Sequence, residues 1–282
     1  MNIGVVLLAR MGSSRLPGKV LLDLCGEPVL GRIVERLRRV EGARGGLIVA
    51  TTMREKDEQI AAYCHRVPDV NVYRGEEENV LRRCLQVCRE FHLDAMVRLG
   101  ADNPLVDWRL INEMLDIFTR EREHGNPLDY VSNSLDRSYP LGLDAEIITR
   151  DALKKVEYYC NTLPQEERAT HEANVIPHIH QHPELFHVYS HKAGFDYSFH
   201  RWTMDTPEDY ELIRRIYEAL YPIKPDFVME DVLALLGKHP DWVGLNGGVM
   251  PRTGFWTVKE KERLQRLLST KGVSRDAGIP AM

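Results

Sequence analysis

The sequence predicts an α/β fold, with a mainly parallel β-sheet and helices on both of its faces. Two observations carry this prediction. Short β-rich apolar runs alternate with longer amphipathic stretches in the first half, and the composition, 43% hydrophobic and 28% charged, is that of an ordinary globular protein. No internal repeat and no Gly-, Ser- or Pro-rich linker divides the 282 residues before their C-terminal end. One domain over residues 1–248 is therefore expected, long enough to bury a full core.

In the first half, four short apolar runs are separated by three helical patterns. A helix is indicated over 77–92, for example, because Cys84 and Cys88 belong to an apolar set at helical spacing. Ligands of open α/β sheets gather where the strands end, so a site is expected in the segments after Leu8 and Leu99. The predicted strands are Ile3–Leu8, Leu47–Thr51, Val70–Tyr73 and Ala95–Leu99, and the predicted helices cover 28–40, 55–66 and 77–92.

The second half of the chain is less regular. Thr206 followed by Pro207 indicates the start of a helix, since Pro is favoured in the first turn. Further strands are predicted at Tyr130–Ser132, Ala145–Ile148, Phe186–Tyr189 and Arg201–Thr203, and further helices over 150–161, 206–220 and 226–237.

A C-terminal extension is predicted over residues 249–282. Gly247 and Gly248 break the preceding pattern, and residues 257–260 have the spacing of a capping box that would begin a short amphipathic helix. Residues 251–282 contain seven Lys or Arg and three Asp or Glu, which gives a net charge of +4. Two interpretations stay open: a contact element for a second copy or another partner, and a solvated basic helix.

Charge and cysteine content exclude several classes of protein. With 37 basic and 42 acidic residues the net charge is −5, so nothing favours binding to nucleic acid or to an anionic membrane. The longest apolar run, Ile3–Ala9, is far shorter than the ~18 residues that a membrane span needs, and it lacks the preceding positive charge of a secretory signal. Five cysteines without a C-x-x-C pair indicate reduced thiols and a cytoplasmic location.

The most informative segment, residues 9–19, directly follows the first predicted strand and reads Ala-Arg-Met-Gly-Ser-Ser-Arg-Leu-Pro-Gly-Lys. Gly12 lets the backbone approach a ligand closely. Arg10, Arg15 and Lys19 place three cations within ten residues. Such a loop suits a polyphosphate, which needs many donors and several positive charges, but it is neither a Walker A loop nor a G-x-G-x-x-G motif. A basic surface turn is the other interpretation.

Seven further blocks follow this loop in one order: Gly26–Leu30, Tyr73–Gly75, Val80–Arg82, Arg98–Leu105, Tyr130–Asn133, Tyr139–Glu146 and Met204–Asp209. Together with the loop they resemble the sugar-nucleotide cytidylyltransferases, the family that includes CMP-Kdo and CMP-sialate synthetases. In detail they are similar to its spore-coat polysaccharide (SpsF-like) branch. The resemblance covers roughly residues 1–245. It implies a Rossmann-like fold of the GT-A type found in nucleotide-diphospho-sugar transferases, with a mainly parallel sheet and a small antiparallel insertion.

The resemblance also implies a Mg²⁺-dependent reaction. CMP would pass from CTP to a sugar acid or similar anionic acceptor, with release of pyrophosphate, in the biosynthesis of a surface polysaccharide or related glycan. Positioning and charge neutralisation dominate such a transfer. Asp102 and Asp205 are implied to hold Mg²⁺, which takes one or two carboxylates with phosphates and water. A homodimer is implied in the same way. The implied nucleotide-binding residues are Leu8, Ala9, Arg10, Gly12, Arg15 and Lys19, of which Arg10 and Lys19 join Asp102 as catalytic residues.

Each aspartate also has a simpler interpretation. Asp102 precedes Asn-Pro and could belong to an ordinary turn. Asp205 stands where a helix N-cap is expected, although Thr206 serves that role equally well.

Acceptor binding is assigned by resemblance to five residues near the active edge of the predicted sheet. Arg74 suits a carboxylate or phosphate through a forked contact, and its alternative is a surface salt bridge with Glu76 or Glu77. Glu146 alternates with apolar neighbours and could lie on the exposed face of a strand. Arg98, within a strand, is interpreted as half of a structural ion pair. The assigned set is Arg74, Asn103, Asn133, Asp144 and Glu146.

Two features of residues 171–182 stand apart from this pattern. Asn174 occupies a position where the family usually has His, which leaves the acceptor specificity and the role of His171 open. His178, His180 and His182 form an H-x-H-x-H run, but the flanking prolines and the lack of a matched carboxylate argue against zinc.

Two other functional classes stay open. A glycosyltransferase of the GT-A type, or a nucleotidyltransferase that uses another nucleoside triphosphate, would keep the fold. The many cations of the loop and the lack of a clear Asp-x-Asp motif argue against the glycosyltransferase. A non-catalytic nucleotide-binding partner protein would have no need of both Asp102 and Asp205.

Overall fold

In the computed structural model, which describes residues 1–173 and 175–249, seven strands form one sheet in the order β3-β2-β1-β4-β6-β5-β7. The strands are β1 (Ile3–Leu8), β2 (Leu47–Thr52), β3 (Val70–Gly75), β4 (Ala95–Gly100), β5 (Tyr130–Ser132), β6 (Glu146–Thr149) and β7 (Val188–Ser190). The helices in the same residues are α1 (Val29–Leu37), α2 (Glu58–Cys64), α3 (Val80–Glu90), α4 (Trp108–Glu123), α5 (Arg150–Cys160), α6 (Gln165–Ala173), α7 (Val175–Gln181), α8 (Pro207–Leu220), α9 (Met229–Lys238) and α10 (Pro240–Val243).

The first four strands form the parallel part of the sheet. β1 lies between β2 and β4, and β3 pairs with β2, all in parallel. β6 runs antiparallel to both of its neighbours, β4 and β5, while β7 is parallel to β5. The predicted α/β fold with a mainly parallel sheet and an antiparallel part is therefore confirmed. The carboxyl ends of β1 to β4 meet at one edge, where the strand order reverses and ligands of such sheets bind.

Helices cover both faces because alternate strand residues point to opposite sides of the sheet. Val5 and Leu7 belong to a core formed with α1, α4, α8 and α9. Val6 and Met96 belong to a second core, formed with α3 and α5. The first four strands are thus held between two apolar layers, and their polar loops are left at the edge.

Most predicted elements are found within a few residues of their expected bounds, with two kinds of exception. α4, α6, α7 and α10 are additional to the predicted helices. The strand predicted at Arg201–Thr203 is wrong: Arg201 forms only an isolated bridge with Leu141. Its backbone neighbours bind two loops instead of a strand, since the Trp202 N–H donates to the Leu141 carbonyl at 2.6 Å and the Met204 N–H to the Asp102 carbonyl at 2.8 Å.

Two further observations concern the chain as a whole. None of the described helices combines the length and the apolar character that crossing a bilayer requires. All five cysteines are free, and four of them are buried. The extension predicted over 249–282, with its short helix, lies outside the described residues beyond Val249.

Candidate active site

The loop of residues 9–19 starts at the carboxyl end of β1 and is fixed there by backbone hydrogen bonds. The Ala9 N–H donates to the carbonyl of Ala50, on β2, at 3.2 Å. The carbonyl of Leu8 accepts the N–H of Ala101, just after β4, at 2.9 Å. The backbone that was expected to lie along a nucleotide therefore runs across the edge where the strand order reverses.

A buried carboxylate anchors the loop. Asp57 is fully buried, and its Oδ1 accepts the Met11 N–H at 2.7 Å while its Oδ2 accepts the Thr52 hydroxyl. The Met11 carbonyl accepts the N–H groups of Ser13 at 2.9 Å and Gly18 at 3.2 Å, which folds the loop back on itself. Gly18 has a φ of 67°, in the left-handed region that favours glycine. Asp57 is not among the residues predicted from the sequence, because its only signal there is its position shortly after a strand.

Lys19 joins the two aspartates of the predicted site. Its Nζ lies 3.0 Å from Oδ2 of Asp102 and 2.8 Å from Oδ1 of Asp205. The lysine side chain is only 10% exposed, so these contacts are shielded from solvent. Two carboxylates from distant parts of the sequence therefore share one cation at the edge of the sheet.

Backbone contacts bring the two aspartates together. The Asp102 carbonyl accepts the Met204 N–H at 2.8 Å and the Thr203 hydroxyl at 3.2 Å. Gly142 makes room for this segment: its φ is 113°, and a Cβ at this position would lie 2.4 Å from the Thr203 nitrogen. The position of Asp205 thus depends on main-chain packing.

The N-cap of α8 leaves Asp205 free for the site. Thr206 is the cap, since its hydroxyl accepts the Asp209 N–H at 3.3 Å in a capping box. The interpretation of Asp205 as the cap is therefore wrong, and its carboxylate faces Lys19.

Three cations keep Asp205 ionised. Arg15 Nη2 lies 2.9 Å and Arg201 Nη2 3.1 Å from its Oδ2. Burial alone would raise the pKa of Asp205, but the hydrogen bond and charge of Lys19, together with the charges of the two arginines, lower it below its ordinary value. The carboxylate is therefore held as an anion.

Arg201 is itself held by a buried network of side chains that was not predicted from the sequence. Asp209 is fully buried and receives Arg201 Nε and Nη2, each at 2.8 Å. Asn246 donates to Asp209 Oδ1 at 2.8 Å and to the Arg201 carbonyl at 2.9 Å. Asp209 could have been found from the sequence, because it is the acidic third residue of the helix that starts after Thr206.

The donor set of Asp102 and Asp205 fits Mg²⁺. Both residues offer carboxylate oxygens, and the ammonium of Lys19 already occupies, as a cation, a position between them. Within residues 1–173 and 175–249 there is no group of three or more His, Cys, Asp or Glu that could hold a metal ion. A two-carboxylate site completed by phosphate and water is the usual form of a Mg²⁺ site.

Arg10 lies in a different group of charges, beside Gly12. Its Nη1 is 3.7 Å from Oε1 of Glu77, which also lies 3.5 Å from Lys56 Nζ, while Oε2 accepts from Arg54 Nε at 2.7 Å. A Cβ at Gly12 would lie 2.8 Å from the Lys56 Nζ. Arg10 therefore faces Glu77, whereas the other two cations of the loop contact Asp205.

Two of the assigned acceptor residues lie at the active edge. Asn103 is buried next to the aspartate that follows β4. Arg74, near the end of β3, forms its surface salt bridge with Glu58, not with Glu76 or Glu77. The other two nitrogens of the Arg74 guanidinium donate to backbone carbonyls, Nε to Thr52 at 3.0 Å and Nη2 to Arg54 at 3.1 Å, so all three are engaged by neighbouring protein groups.

Asn133 and Asp144 are bound to neighbouring protein groups. Asn133 is fully buried, donates to the Leu143 carbonyl at 2.7 Å and accepts the Ala145 N–H at 2.9 Å. Both atoms of its amide thus support the chain that leads into β6. Asp144 is partly exposed and receives the Arg137 guanidinium in a forked contact, with Nη2 at 2.9 Å.

Glu146 forms a buried ion pair with Arg98. Its Oε2 lies 2.7 Å from Arg98 Nη2 and 2.9 Å from Nε, and its side chain is only 6% exposed. Burial alone would lower the pKa of Arg98, but the charge and hydrogen bond of Glu146, together with smaller contributions from neighbouring groups, raise that pKa. The interpretation of Arg98 as a structural ion pair is confirmed, and that of Glu146 as an exposed strand residue is wrong. A direct acceptor contact would disrupt this buried pair.

His171 of α6, His178 of α7 and His182, just after α7, form an aromatic cluster with Tyr159 of α5. The His178 ring stacks on Tyr159 with centroids 4.0 Å apart, and His182 and His171 lie 4.9 Å and 5.8 Å from it. Burial, with the charges of its two histidine neighbours, lowers the pKa of His178 to about 4. In the described residues the Nδ1 atoms of His171 and His178 are buried without a hydrogen-bond partner. The rings therefore act in packing.

The sequence is similar to a known protein family and to several of its members. The sequence matches the family model described as Cytidylyltransferase over residues 4–226, a range that contains the loop and both aspartates. It is 32% identical over 245 residues to the spore coat polysaccharide biosynthesis protein SpsF of Bacillus subtilis (strain 168), with 85% of this chain and 96% of that protein covered. It is also 32% identical over 181 residues to 3-deoxy-manno-octulosonate cytidylyltransferase 2 of Paraburkholderia phytofirmans, with 59% of this chain and 65% of that protein covered.

The fold is shared with a solved structure as well. The structure of a cytidylyltransferase from Leptospira borgpetersenii serovar Hardjo-bovis superposes with a TM-score of 0.78 at 27% sequence identity. The superposition covers 86% of this chain and 97% of that one.

Proposed function

The chain belongs to the cytidylyltransferase family, and we propose that it transfers CMP from CTP to a sugar acid or similar small anionic acceptor and releases pyrophosphate. The observation that carries this proposal is the meeting of Lys19 with Asp102 and Asp205 at the sheet edge. The similarity to proteins named for spore coat polysaccharide biosynthesis and for 3-deoxy-manno-octulosonate supports an acceptor of this class and a role in making a surface glycan.

The two aspartates are the proposed Mg²⁺ ligands. When bound, the ion supplies a Lewis acid that polarises the α-phosphate and shields its negative charge from an anionic acceptor. Asp205 enters this role already ionised, because Lys19, Arg15 and Arg201 lower its pKa.

Lys19 is proposed to change partners during the reaction. In the structure its ammonium neutralises both carboxylates. With a divalent ion held by these carboxylates, the ammonium would be free to contact phosphate oxygens, where it would stabilise the charge that develops on the departing pyrophosphate. Arg15, 31% exposed, is placed to make the same change from Asp205 to phosphate.

Arg201 has a different proposed role. Its forked contact with the buried Asp209 keeps it in place, so it goes on holding Asp205 after Lys19 and Arg15 have turned to the nucleotide. Arg201 is therefore proposed as a positioning residue, whereas Lys19 and Arg15 are proposed to contact the substrate.

The other proposed substrate contacts lie along the same edge of the sheet. The backbone of Leu8, Ala9 and Gly12 would lie along the nucleotide, because this segment crosses the place where the strand order reverses. Asn103 is the proposed acceptor contact nearest to the metal ligands, and Asp144 a more distant one.

The proposal is tested by measuring pyrophosphate release from CTP, UTP, ATP and GTP with a panel of sugar acids and phosphonates, with Mg²⁺ and with excess chelator. We expect release from CTP in the presence of one acceptor class and none with chelator. Equal use of another triphosphate would change the base assignment. Consumption of a nucleotide sugar without turnover of any triphosphate would instead identify a glycosyltransferase.

A further inference from the structure

The segment of residues 201–205 ends at a proposed metal ligand, and its first residue is held by a side chain that the proposed mechanism does not use. That side chain is Asn246, which is buried, with 4% of its surface exposed. Its Nδ2 donates to the Arg201 carbonyl at 2.9 Å and to Asp209 Oδ1 at 2.8 Å. A side-chain amide nitrogen carries two N–H groups, so both donors of Asn246 are spent on this network.

Both hydrogen bonds of Asn246 act on Arg201. One holds its main chain directly. The other holds Asp209, the carboxylate that receives Arg201 Nε and Nη2 at 2.8 Å each. Asn246 therefore fixes the backbone of Arg201 relative to the anion that binds its side chain. From this position Arg201 Nη2 reaches Asp205 Oδ2 at 3.1 Å.

Asp209 also fixes the main chain of the metal ligand. Its Oδ2 accepts the N–H groups of Asp205 at 3.0 Å and Thr206 at 3.1 Å. Two bonds from Arg201 and one from Asn246 bring its hydrogen bonds to five. Because a fully buried carboxylate is stable only when hydrogen bonds replace its hydration, removal of any one donor disturbs the whole set.

The residue type at position 246 suits the charges around it. Arg201 is one cation shared by two carboxylates, those of Asp205 and Asp209. A neutral amide supplies the further donor that Asp209 accepts without adding a positive charge near Asp205. A cation there would compete with a divalent ion for Asp205, whereas a neutral donor leaves that carboxylate its charge.

Asn246 is delivered by a packed turn after α10. The Trp242 ring stacks on the His239 ring with centroids 4.4 Å apart, and Arg215 of α8 lies 5.7 Å from the centre of the Trp242 ring. The Asn246 carbonyl accepts the Val249 N–H at 3.0 Å. The amide is thus held in place before any ligand binds. It also lies outside the range that the family model matches, which ends at residue 226.

We propose that Asn246 is a positioning residue for the metal site. Acting through Asp209 and Arg201, it holds Asp205 in the orientation that suits a divalent ion. This inference rests on the proposed function, in which Asp102 and Asp205 are the metal ligands. Without the amide, Asp209 would draw Arg201 toward itself and the main chain at Arg201 would loosen, so that Asp205 would bind the ion less tightly.

A direct titration with Mn²⁺, followed by electron paramagnetic resonance with and without CTP, tests the inference. Mn²⁺ is suited by the same carboxylate and water ligands as Mg²⁺. The variants Asn246→Leu and Asn246→Ser keep none and one of the donors. We expect Asn246→Leu to bind Mn²⁺ about tenfold more weakly, as is usual when a group that orients a metal ligand is lost. Asn246→Ser should lie between it and the wild type.

The matched control is Val243→Ala, in α10. Val243 packs against the core of the same terminal turn and takes no part in the network. It should lower the midpoint of urea unfolding while Mn²⁺ affinity stays at the wild-type value. A purely structural role for Asn246 would give the same result in its own variants.

Steady-state kinetics supply a second readout. In Asn246→Leu the Mg²⁺ concentration for half-maximal activity should rise by the same factor as the Mn²⁺ dissociation constant. At saturating Mg²⁺, kcat and the KM for CTP should remain at their wild-type values, because Asn246 touches neither the nucleotide nor the reacting atoms.

Several outcomes would overturn the inference. One is wild-type Mn²⁺ affinity in folded Asn246→Leu, or in Asn246→Ser if the leucine variant does not fold. Another is a lower kcat at saturating Mg²⁺ with unchanged Mn²⁺ affinity. A wild-type protein that binds no Mn²⁺ would remove both the metal site and the inference. If the wild type binds Mn²⁺ but turns over no triphosphate, the proposed function fails, while weaker Mn²⁺ binding by the variants still supports the role of Asn246.

Discussion

The buried carboxylate of Asp57 accepts the backbone N–H of Met11 at 2.7 Å and so connects the segment after β2 to the loop of residues 9–19. The bond fixes the residue whose carbonyl folds the loop back through Ser13 and Gly18. The shape of the loop therefore depends on a side chain outside it.

Substitution of Asp57 tests this dependence. We expect Asp57→Ala to lower the free energy of unfolding by about 2–3 kcal/mol, because a backbone N–H and a hydroxyl lose their buried acceptor, and to weaken CTP binding. Urea unfolding and calorimetry measure the two effects. Asp57→Asn, which keeps one acceptor oxygen, is the matched control and should lie between. A folded Asp57→Ala protein with wild-type CTP affinity would show that the loop holds its shape alone.

Loss of Asp102 should abolish chemistry but not folding. We expect Asp102→Asn to reduce kcat by at least about a hundredfold, since metal-ion catalysis contributes several kcal/mol, with little change in the midpoint of urea unfolding. Steady-state kinetics with varied Mg²⁺ and a direct Mn²⁺ titration measure this. The control Asp151→Asn removes an exposed carboxylate of α5. Near-normal Mg²⁺-dependent turnover in Asp102→Asn would remove this residue from the metal site.

The histidine cluster should make stability depend on pH. His178, with a pKa lowered to about 4, stays neutral in the fold while the unfolded chain takes up a proton near pH 6.5. The unfolded state then binds more protons, so stability falls as the pH drops from about 7 toward 4, by on the order of 2 kcal/mol between pH 7 and 5.

The variant His178→Phe checks this assignment. It should reduce, without removing, the fall in the free energy of unfolding measured by urea at pH 7, 6 and 5. The ring stacked on Tyr159 no longer titrates, while His180, whose pKa burial lowers to about 3, still contributes. His124→Phe, at the C-terminal end of α4, is the control. A slope unchanged by His178→Phe would assign the pH dependence to other groups.

Gly142 should be intolerant of a side chain. An alanine there would need a φ of 113° and would place its Cβ 2.4 Å from the backbone of Trp202 and Thr203. We expect Gly142→Ala to lower the free energy of unfolding by about 3 kcal/mol or more and to reduce kcat by moving Asp205. Gly194→Ala, where nothing lies within 4 Å of the added Cβ, is the control and should be near neutral. Equal behaviour of the two variants would contradict the packing described here.

The buried pair of Arg98 and Glu146 should be structural. Arg98→Met leaves a carboxylate buried without its partner and should lower the free energy of unfolding by about 3–5 kcal/mol. The double variant Arg98→Met/Glu146→Leu should recover most of that loss, because no unpaired charge remains. Urea unfolding measures both, and the KM for the acceptor in the double variant supplies a second readout. If the double variant is stable but its KM for the acceptor is raised, Glu146 takes part in acceptor binding after all.

Much of the fold could be predicted because local patterns coincide with tertiary burial. β1 and β5 begin and end at the predicted residues, since each is a short apolar run bounded by polar or turn-forming residues. α4 was missed although Leu110, Met114 and Phe118 recur at helical spacing and are all buried. The extended segment at Arg201 resembles a strand in composition, but its hydrogen bonds go to loops, a difference that no local pattern records.

The candidate site could be predicted only where its residues are close together in the sequence or belong to the family resemblance. The loop of residues 9–19 is continuous in sequence, so its cations and glycines could be recognised together, and the resemblance supplied Asp102 and Asp205. The forked contact of Arg201 with Asp209 and the cations around Glu77 depend on side chains from separate segments. Such meetings are set by the three-dimensional packing and leave little trace in sequence spacing.

The hydrogen bond from the Met204 N–H to the Asp102 carbonyl uses no side-chain atom. Replacing the carboxylate of Asp102 therefore leaves the scaffold that aligns the reactants in place. We therefore expect the Asp102→Asn protein to serve as a substrate trap: incubated with CTP and a mixture of cellular metabolites, it should retain an acceptor that mass spectrometry can identify.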